Sequence, residues 1–469
     1  MDKRVTNFTH PWLVLLPLMI GAFVGMLSET SLNIALPQLM NHLQIGQATI
    51  QWLVTGYMLI IGVVLPLSSL LTKWFTTKKL VVFGLLAFLL GSLISGLGIN
   101  FTMVLIGRMI QGIGTGIILP LMFTVAVIIF PMDKLGAVNG ILALVIMFAP
   151  AIGPTLTGLI LGVGSWRDIF FVFVIFLTVA LILSLLYCKN VNHITKASVD
   201  WTSILLSVIG FSGIIAGVSL SSEYGLFSWR VLLIIILGMI ALGWYIWRQV
   251  TSKSPLLNLL IFKRRNFRLG ALLVMLDFAI ILSAMYLLPQ YLQNGLHIPV
   301  SLTGIIMLPA GIVNALVSAI SGRLYDNFGS KWPTRVGFFI AAIGTILLTQ
   351  CDTNSMLWLV ILAHTILMVG APLAMSPAQT SALGALEKFE SADGSTILNT
   401  LQQIIGALST AITTSLLTFG KTSTSGSDQA ISFVRGVHWG LYFTLLLAVI
   451  GLVVSLKGND KGHFNSKDE

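Results

Sequence analysis

Runs of about 20 apolar residues, each long enough to cross a bilayer core of roughly 30 Å as a helix, recur along the whole chain between short polar breaks. They predict fourteen membrane-spanning helices near residues 12–36, 50–72, 79–99, 102–126, 136–162, 168–188, 202–220, 230–248, 269–292, 301–321, 335–351, 356–379, 394–418 and 436–456. Two long polar connections, Lys189–Asp200 and Gln249–Arg268, bracket the seventh and eighth spans. They set the seventh and eighth spans apart and leave six spans on either side. The expected organisation is an N-terminal six-helix bundle (residues 1–190), a two-helix insertion (191–265) and a C-terminal six-helix bundle with a short tail (266–469).

Composition sharpens this picture. The chain is 56% hydrophobic and 9% charged, against about 25% charge in a soluble domain, so the fold class is an all-α polytopic membrane protein. With both termini cytoplasmic, inside loops hold twenty-one Lys and Arg, while outside loops hold only Arg167, Arg230, Lys421 and Arg435. That asymmetry sets the orientation, and omitting any one span would scramble it. The net charge of +10 is then a topology signal with some attraction to anionic lipid, and nucleic acid is not an expected partner. The apolar stretch after Met-Asp-Lys-Arg lacks a cleavage site and reads as a retained first span in a multi-pass cell-membrane protein, bacterial and monomeric by expectation. Cys188 and Cys351 fall at span ends on opposite sides, so neither a disulfide nor a metal site is expected. No phosphate-binding G-x-x-x-x-G-K-[ST] loop occurs. No cofactor is expected, and energy is expected from an ion gradient or the substrate's own gradient.

Only Glu29, Arg108 and Asp277 place charge deep inside the apolar segments. A charge at mid-bilayer costs roughly 2.5–3.5 kcal/mol on insertion scales, and chains keep such residues where protons, ions or charged substrates cross. Low-dielectric surroundings disfavour the ionised form of a carboxyl, which suits a group that takes up and releases protons. Glu29 is the first candidate for proton coupling. Arg108, at a similar depth, can pair with it; a permanently ionised brace between the first and fourth spans, or an Arg108 hydrogen bond to the first-span backbone, is the plainer alternative. Asp277 is read as a second protonatable site or as counter-charge to a cationic substrate. The plainer reading is a carboxylate that only keeps the pathway wet.

The halves carry a repeat. The turn after the tenth span reads G-R-L-Y-D-N-F-G-S-K (Gly322 to Lys331), and the turn after the second reads S-L-L-T-K-W-F-T-T-K (Ser69 to Lys78), with Leu, Phe and Lys in register. The first of these resembles the loop signature of the major facilitator superfamily. Four further segments resemble its fourteen-helix drug:proton antiporter branch (EmrB/QacA type): E-T-S-L-N-I-A-L-P from Glu29, Q-W-L-V-T-G-Y-M-L from Gln51, R-M-I-Q-G-I-G-T-G from Arg108, and A-P-A-I-G-P-T-L-T-G from Ala149. With Glu in the first span and a degraded first loop, the chain is similar to the LmrB-like and SdrM-like groups of that branch.

The resemblance implies a major facilitator fold, two six-helix bundles plus two extra helices. It also implies proton-coupled export of lipophilic, often cationic, drugs by alternating access, with Arg108 in the coupling and no enzymatic activity. Gly322, Asp326 and Gly329 of the loop, and Pro150, Gly153, Pro154 and Gly158 of the fifth span, are the implied gating elements. The first loop departs from the pattern, with Lys73 in place of an acid and Thr76 in place of a glycine, and Thr157 replaces a glycine in the fifth span. Glu29, Asp277, Trp52, Tyr57, Phe148, Tyr286 and Gln111, with Met147, are the candidates for lining a broad substrate cavity; packing against neighbouring helices or lipid is the alternative for each aromatic. His364 is read as a neutral hydrogen-bonding residue or a titrating one, and Asn314, Asn399, Gln402 and Gln403 as interhelical glue or ligand contacts. Other readings are a transporter dedicated to one metabolite or peptide, and a non-transporting scaffold, which leaves the buried charges without a purpose.

Overall fold

The computed structural model describes residues 10–131, 135–191, 194, 200–225, 228–252, 257–387, 390–423 and 429–457. In chain order it contains α1 (Pro11–Leu43), α2 (Gln47–Ile50), α3 (Trp52–Trp74), α4 (Thr77–Gly96), α5 (Phe101–Ile129), α6 (Leu135–Val163) and α7 (Trp166–Tyr187). These are followed by α8 (Trp201–Tyr224) and α9 (Trp229–Thr251), then α10 (Arg265–Gln290), α11 (Val300–Phe328), α12 (Lys331–Thr349), α13 (Leu357–Gly384), α14 (Ser391–Thr422) and α15 (Gln429–Leu456). No strand occurs among the described residues. In lipid this is the expected solution, because a helix satisfies its own backbone donors and acceptors.

Each predicted span overlaps one long helix with its ends displaced by a few residues, and the second span also takes in Ile50 of α2, a single extra turn. Among the described residues thirteen helices are long and apolar enough to cross a membrane unbroken, and α6 makes the fourteenth if its two arms, bent by 43° between Pro150 and Ile152, count as one span. Pro150 and Pro154 supply the bend by removing backbone donors from consecutive turns. Several helices outlast their apolar stretch: α1 runs past Pro37 to Leu43, α10 begins at Arg265, and α11 continues to Phe328. The connection expected over Gln249–Arg268 is shortened accordingly, and a 3-10 turn (Leu259–Lys263) occupies part of it.

The two halves are built alike. Helix α4 lies so close to α5 that a Cβ on Gly91 would meet the Gly107 carbonyl oxygen at 2.5 Å and the Gln111 nitrogen at 2.7 Å. Helix α12 meets α13 in the same way, Gly344 facing Leu367 and the Ala363 carbonyl oxygen (2.9 Å). Gly91 thus matches Gly344, Gly107 matches Ala363 and Gln111 matches Leu367. On this register Arg108 and His364 occupy equivalent places. The caps repeat too. Lys78, at the start of α4, donates to the Leu185 carbonyl in the last turns of α7 (2.8 Å). Arg335, at the start of α12, donates to the Ser455 and Leu456 carbonyls ending α15 (3.3 and 3.2 Å). Each basic side chain satisfies carbonyls that a helix C-terminus leaves free.

The repeat fails at one turn. Gly329 ends α11 at φ 70°, a conformation that favours glycine, whereas Phe75 and Thr76 between α3 and α4 are extended. That turn therefore needs no glycine, which accounts for Thr76. Helix α8 packs against α9 and covers the α3–α14 seam. The cytoplasmic ends of α8 and α9 are clamped by Asp200, which caps α8 through Ser203 and accepts from Arg248 at 2.7 and 3.0 Å.

Candidate functional site

The most complete polar cluster surrounds Arg108, a fully buried side chain on α5. Close α4–α5 packing brings Ser92 beside Gln111, whose Nε2 donates to Ser92 Oγ (2.8 Å). Gln111 Oε1 accepts from Arg108 Nη1 (2.8 Å), which also donates to Ser28 Oγ of α1. Arg108 Nε donates to the Leu53 carbonyl of α3 (3.0 Å) and Nη2 to the Ser28 carbonyl (3.3 Å). The guanidinium lies over the Tyr57 ring, 4.0 Å from its centroid, and the Tyr57 hydroxyl donates to the Gly25 carbonyl, with Thr115 Oγ1 also at 2.8 Å. One cation thereby ties together four helices. Charge-assisted hydrogen bonds of this kind contribute about 1.5–3 kcal/mol each, and the ring contact adds about 1–2 kcal/mol when desolvated.

Glu29 sits one residue beyond Ser28, and the expected direct ion pair with Arg108 does not form. Among the described residues, the salt bridges are Arg248–Asp200 and those of Arg264 with Glu387 and Glu390. The reason is geometric: neutral acceptors occupy the guanidinium fork, and one residue along a helix turns the side chain by about 100°. Glu29, itself buried, accepts instead from Gln403 Nε2 of α14 at 3.5 Å while remaining within electrostatic reach of Arg108. It therefore touches the opposite half of the molecule. Buried polar atoms without hydrogen-bond partners include Asn33 Oδ1, one turn along α1 from Glu29; Gln402 Nε2 and Gln403 Oε1 on α14; and both amide atoms of Gln51, which caps α3, with Thr55 Oγ1 on α3.

The other candidates divide. Asp277, on α10, is fully buried, and neither carboxyl oxygen has a partner. Tyr286 is buried and its hydroxyl accepts from Gln47 Nε2 (3.1 Å). Tyr57 and Gln111 belong to the arginine cluster. Trp52 is half-buried on the α3 face turned to α5. Phe148 is 41% exposed on α6. The side chains of Met147 and Asp326 lie outside the described residues.

The small-residue stripe of α6 has two faces. Gly153 is pressed against Thr30 and the Leu27 carbonyl of α1, whereas Gly158 meets Gly304 of α11, to whose Cα its own Cβ would come within 2.8 Å. Pro154 cannot donate to the Pro150 carbonyl, and Thr30 Oγ1 does so instead (3.3 Å). Thr155 donates to the Gly304 carbonyl (2.9 Å) and Gln293 to the Ile34 carbonyl (3.1 Å), so the halves are joined toward their outer ends. Gly322 lies inside α11 with open space around it; Gly329, not Gly322, makes the turn. Lys73 lies within electrostatic reach of Asp393, in the first turn of α14. Cys188 and Cys351 are both free.

Ser28, Asn33, Thr55, Ser92 and Thr115 were not singled out from the sequence. A signal existed, because Glu29/Asn33, Gln51/Thr55 and Gln111/Thr115 are each polar pairs one turn apart in apolar helices.

The Major Facilitator Superfamily family model matches residues 18–200 and 200–410. The chain is 40% identical to the lincomycin resistance protein LmrB of Listeria innocua over 95% of its length and 96% of that protein. It is 42% identical to the LmrB of Bacillus subtilis, covering 94% of each. Its fold is similar to the partially occluded, inward-open xylose transporter XylE of E. coli, with a TM-score of 0.65 at 14% identity, covering 95% and 97% of the two chains.

Proposed function

The chain belongs to the Major Facilitator Superfamily of multi-pass membrane transporters, and on that footing we propose that it is a proton-coupled antiporter exporting lipophilic, often cationic, drugs from the cell by alternating access. The observation that carries this reading is the position of Glu29. Its neighbour Ser28 holds Arg108 within the first half, and its own carboxyl accepts from Gln403 in the second. An ionised carboxylate is an acceptor only; protonation adds a donor and removes the charge that Arg108 senses. Loading one proton therefore changes both the tie between the halves and the electrostatics of the cluster that braces four helices. Such a junction has two states, as coupling requires.

Asp277 is the second acid. Two protons per cycle let a monovalent cation leave against the membrane potential, which opposes each charge by about 2.3 kcal/mol per 100 mV. Lincomycin is the first compound to try, after the names of the two relatives, with ethidium as a cationic reporter. The test is reconstitution in proteoliposomes with an imposed pH gradient. Glu29→Gln is expected to insert and fold normally and to lose gradient-driven ethidium export. Unchanged export by that variant would overturn the assignment of Glu29.

A further inference from the structure

A cavity lies on the seam between the halves, bounded by Pro150 and Pro154 of α6, Met285 of α10, Asn314 of α11 and His364 and Met368 of α13. Its lining shares no residue with the Glu29 junction. His364 is buried and neither ring nitrogen has a hydrogen-bond partner. Asn314 Nδ2 donates only to the Met368 thioether sulfur, at 3.5 Å, a weak acceptor. A buried polar group left unpaired is destabilising, so the unpaired ring of His364, with half-buried Asn314 held by a thioether beside it, is poorly explained by packing. At the equivalent place in the first half, Arg108 is fully engaged. The second half keeps the scaffold and leaves the hydrogen-bonding capacity open.

The lining has the character of a ligand contact, mostly apolar with a few convergent polar groups. No acid is among the lining residues, so no carboxylate borders a group held there. A neutral imidazole offers one donor and one acceptor, the complement of a hydroxyl or amide. Building on the export reading above, we infer that this cavity is a substrate subsite for an uncharged hydroxyl- or amide-bearing group on a lipophilic molecule, held by His364 and Asn314. Because α6 belongs to the first half and the remaining walls to the second, a ligand here bridges the two bodies whose motion carries it.

Equilibrium binding to the purified protein, with no gradient applied, tests the subsite separately from coupling. The probes are radiolabelled chloramphenicol, neutral and bearing hydroxyls and an amide, and ethidium, a permanent cation. His364→Leu is expected to weaken chloramphenicol binding about tenfold, the loss expected when a buried polar site is left without its partner, while ethidium binding changes less than about twofold. His364→Gln, which keeps a donor and an acceptor, is expected to recover most of the affinity, and Asn314→Leu to mimic the loss. Wild-type protein that binds ethidium but not chloramphenicol overturns the subsite alone and leaves the export reading standing; binding of neither probe counts against both. Equal loss of both probes in His364→Leu and His364→Gln also overturns the subsite, as does unchanged chloramphenicol binding, the result expected if the cavity holds only water.

Discussion

In the first half, the glycine-packed pair α4–α5 presents Arg108 with all three guanidinium nitrogens bonded. In the second, the matching pair α12–α13 presents His364 with neither ring nitrogen bonded, and nearby α10 carries Asp277 with neither oxygen bonded. One scaffold thus supports two kinds of polar interior. A satisfied network rigidifies the helices that share it, whereas unsatisfied groups reserve capacity for something that arrives and leaves. The contrast belongs to the two helix pairs and not to whole halves, since Asn33, Gln51 and Thr55 of the first half also hold unpaired atoms; it matches the proposal of a braced α4–α5 cluster beside Glu29 and an α12–α13 pair that meets cargo.

The sharpest way to break this comparison is to remove the brace. Arg108→Ala leaves Ser28, Gln111 and the Leu53 carbonyl facing a buried void, and is expected to cost about 2–5 kcal/mol through the cavity and the unpaired acceptors. It should appear as a large drop in the detergent melting temperature together with loss of transport. Arg108→Lys should rescue only in part, since an ammonium cannot reproduce the planar fork. His364→Leu, at the matching place, should leave the melting temperature unchanged or slightly raised. Equal destabilisation by the two would show that the second half is braced as well.

Asp277→Asn is next in size. An unpartnered buried carboxyl contributes nothing to packing that an amide lacks, so stability should hold or rise by about 1 kcal/mol. Export of ethidium in the proteoliposome assay should fall at least about tenfold. A variant that is destabilised yet transports normally would make Asp277 a structural residue and remove one acid from the scheme.

A smaller effect separates glycines that permit close approach from those that do not. A methyl group at Gly91 collides with the α5 backbone, so Gly91→Ala should cost about 1–3 kcal/mol through overpacking. Gly322 lies within α11 with nothing near it, and Gly322→Ala should stabilise by about 0.5–1 kcal/mol through helix propensity. Thermal melts of the two variants decide it. A destabilising Gly322→Ala would restore a close-contact role to the loop signature.

The sequence revealed much of this and missed the rest for physical reasons. Spans were legible because hydropathy reports burial in lipid, and the order of Lys and Arg supported their number. Helix ends were not, since α10 keeps its backbone bonds through Arg265 and Arg268, where hydropathy collapses. Glu29, Arg108 and Asp277 stood out because charge in hydrocarbon is costly. Of their partners only the first-span backbone was legible, as an alternative for Arg108, and it is the Ser28 carbonyl; the Leu53 carbonyl of α3 was not, because a hydrogen bond to a backbone carbonyl leaves no mark on composition. The facing of Phe148 was not legible for a related reason: an α6 that is apolar on every side hides which face turns inward. The insertion was separable by its flanking polar loops, yet its seat over the α3–α14 seam depends on tertiary contacts such as that between Ser221 and Ser415.

The smallest effect concerns that insertion, and it isolates the proton chemistry assigned to Glu29. Asp200 lies at the cytoplasmic start of α8, where the Arg248 side chain and the Ser203 hydroxyl and amide hold its carboxyl down at about 2, below the usual value near 3.9. A depressed folded-state value means the contribution to stability is complete above about pH 3.9 and disappears as pH falls through about 2. Across pH 5.5–8, where a transport profile is measured, the clamp is constant. Asp200→Asn should therefore lower stability slightly, because the pair is partly solvated, and leave the shape of the pH profile of ethidium export unaltered. Glu29→Gln should flatten that same profile. A profile that shifts with Asp200→Asn would mean that the α8–α9 pair over the α3–α14 seam takes part in coupling, and the proton-sensing edge of the first half would then extend beyond Glu29.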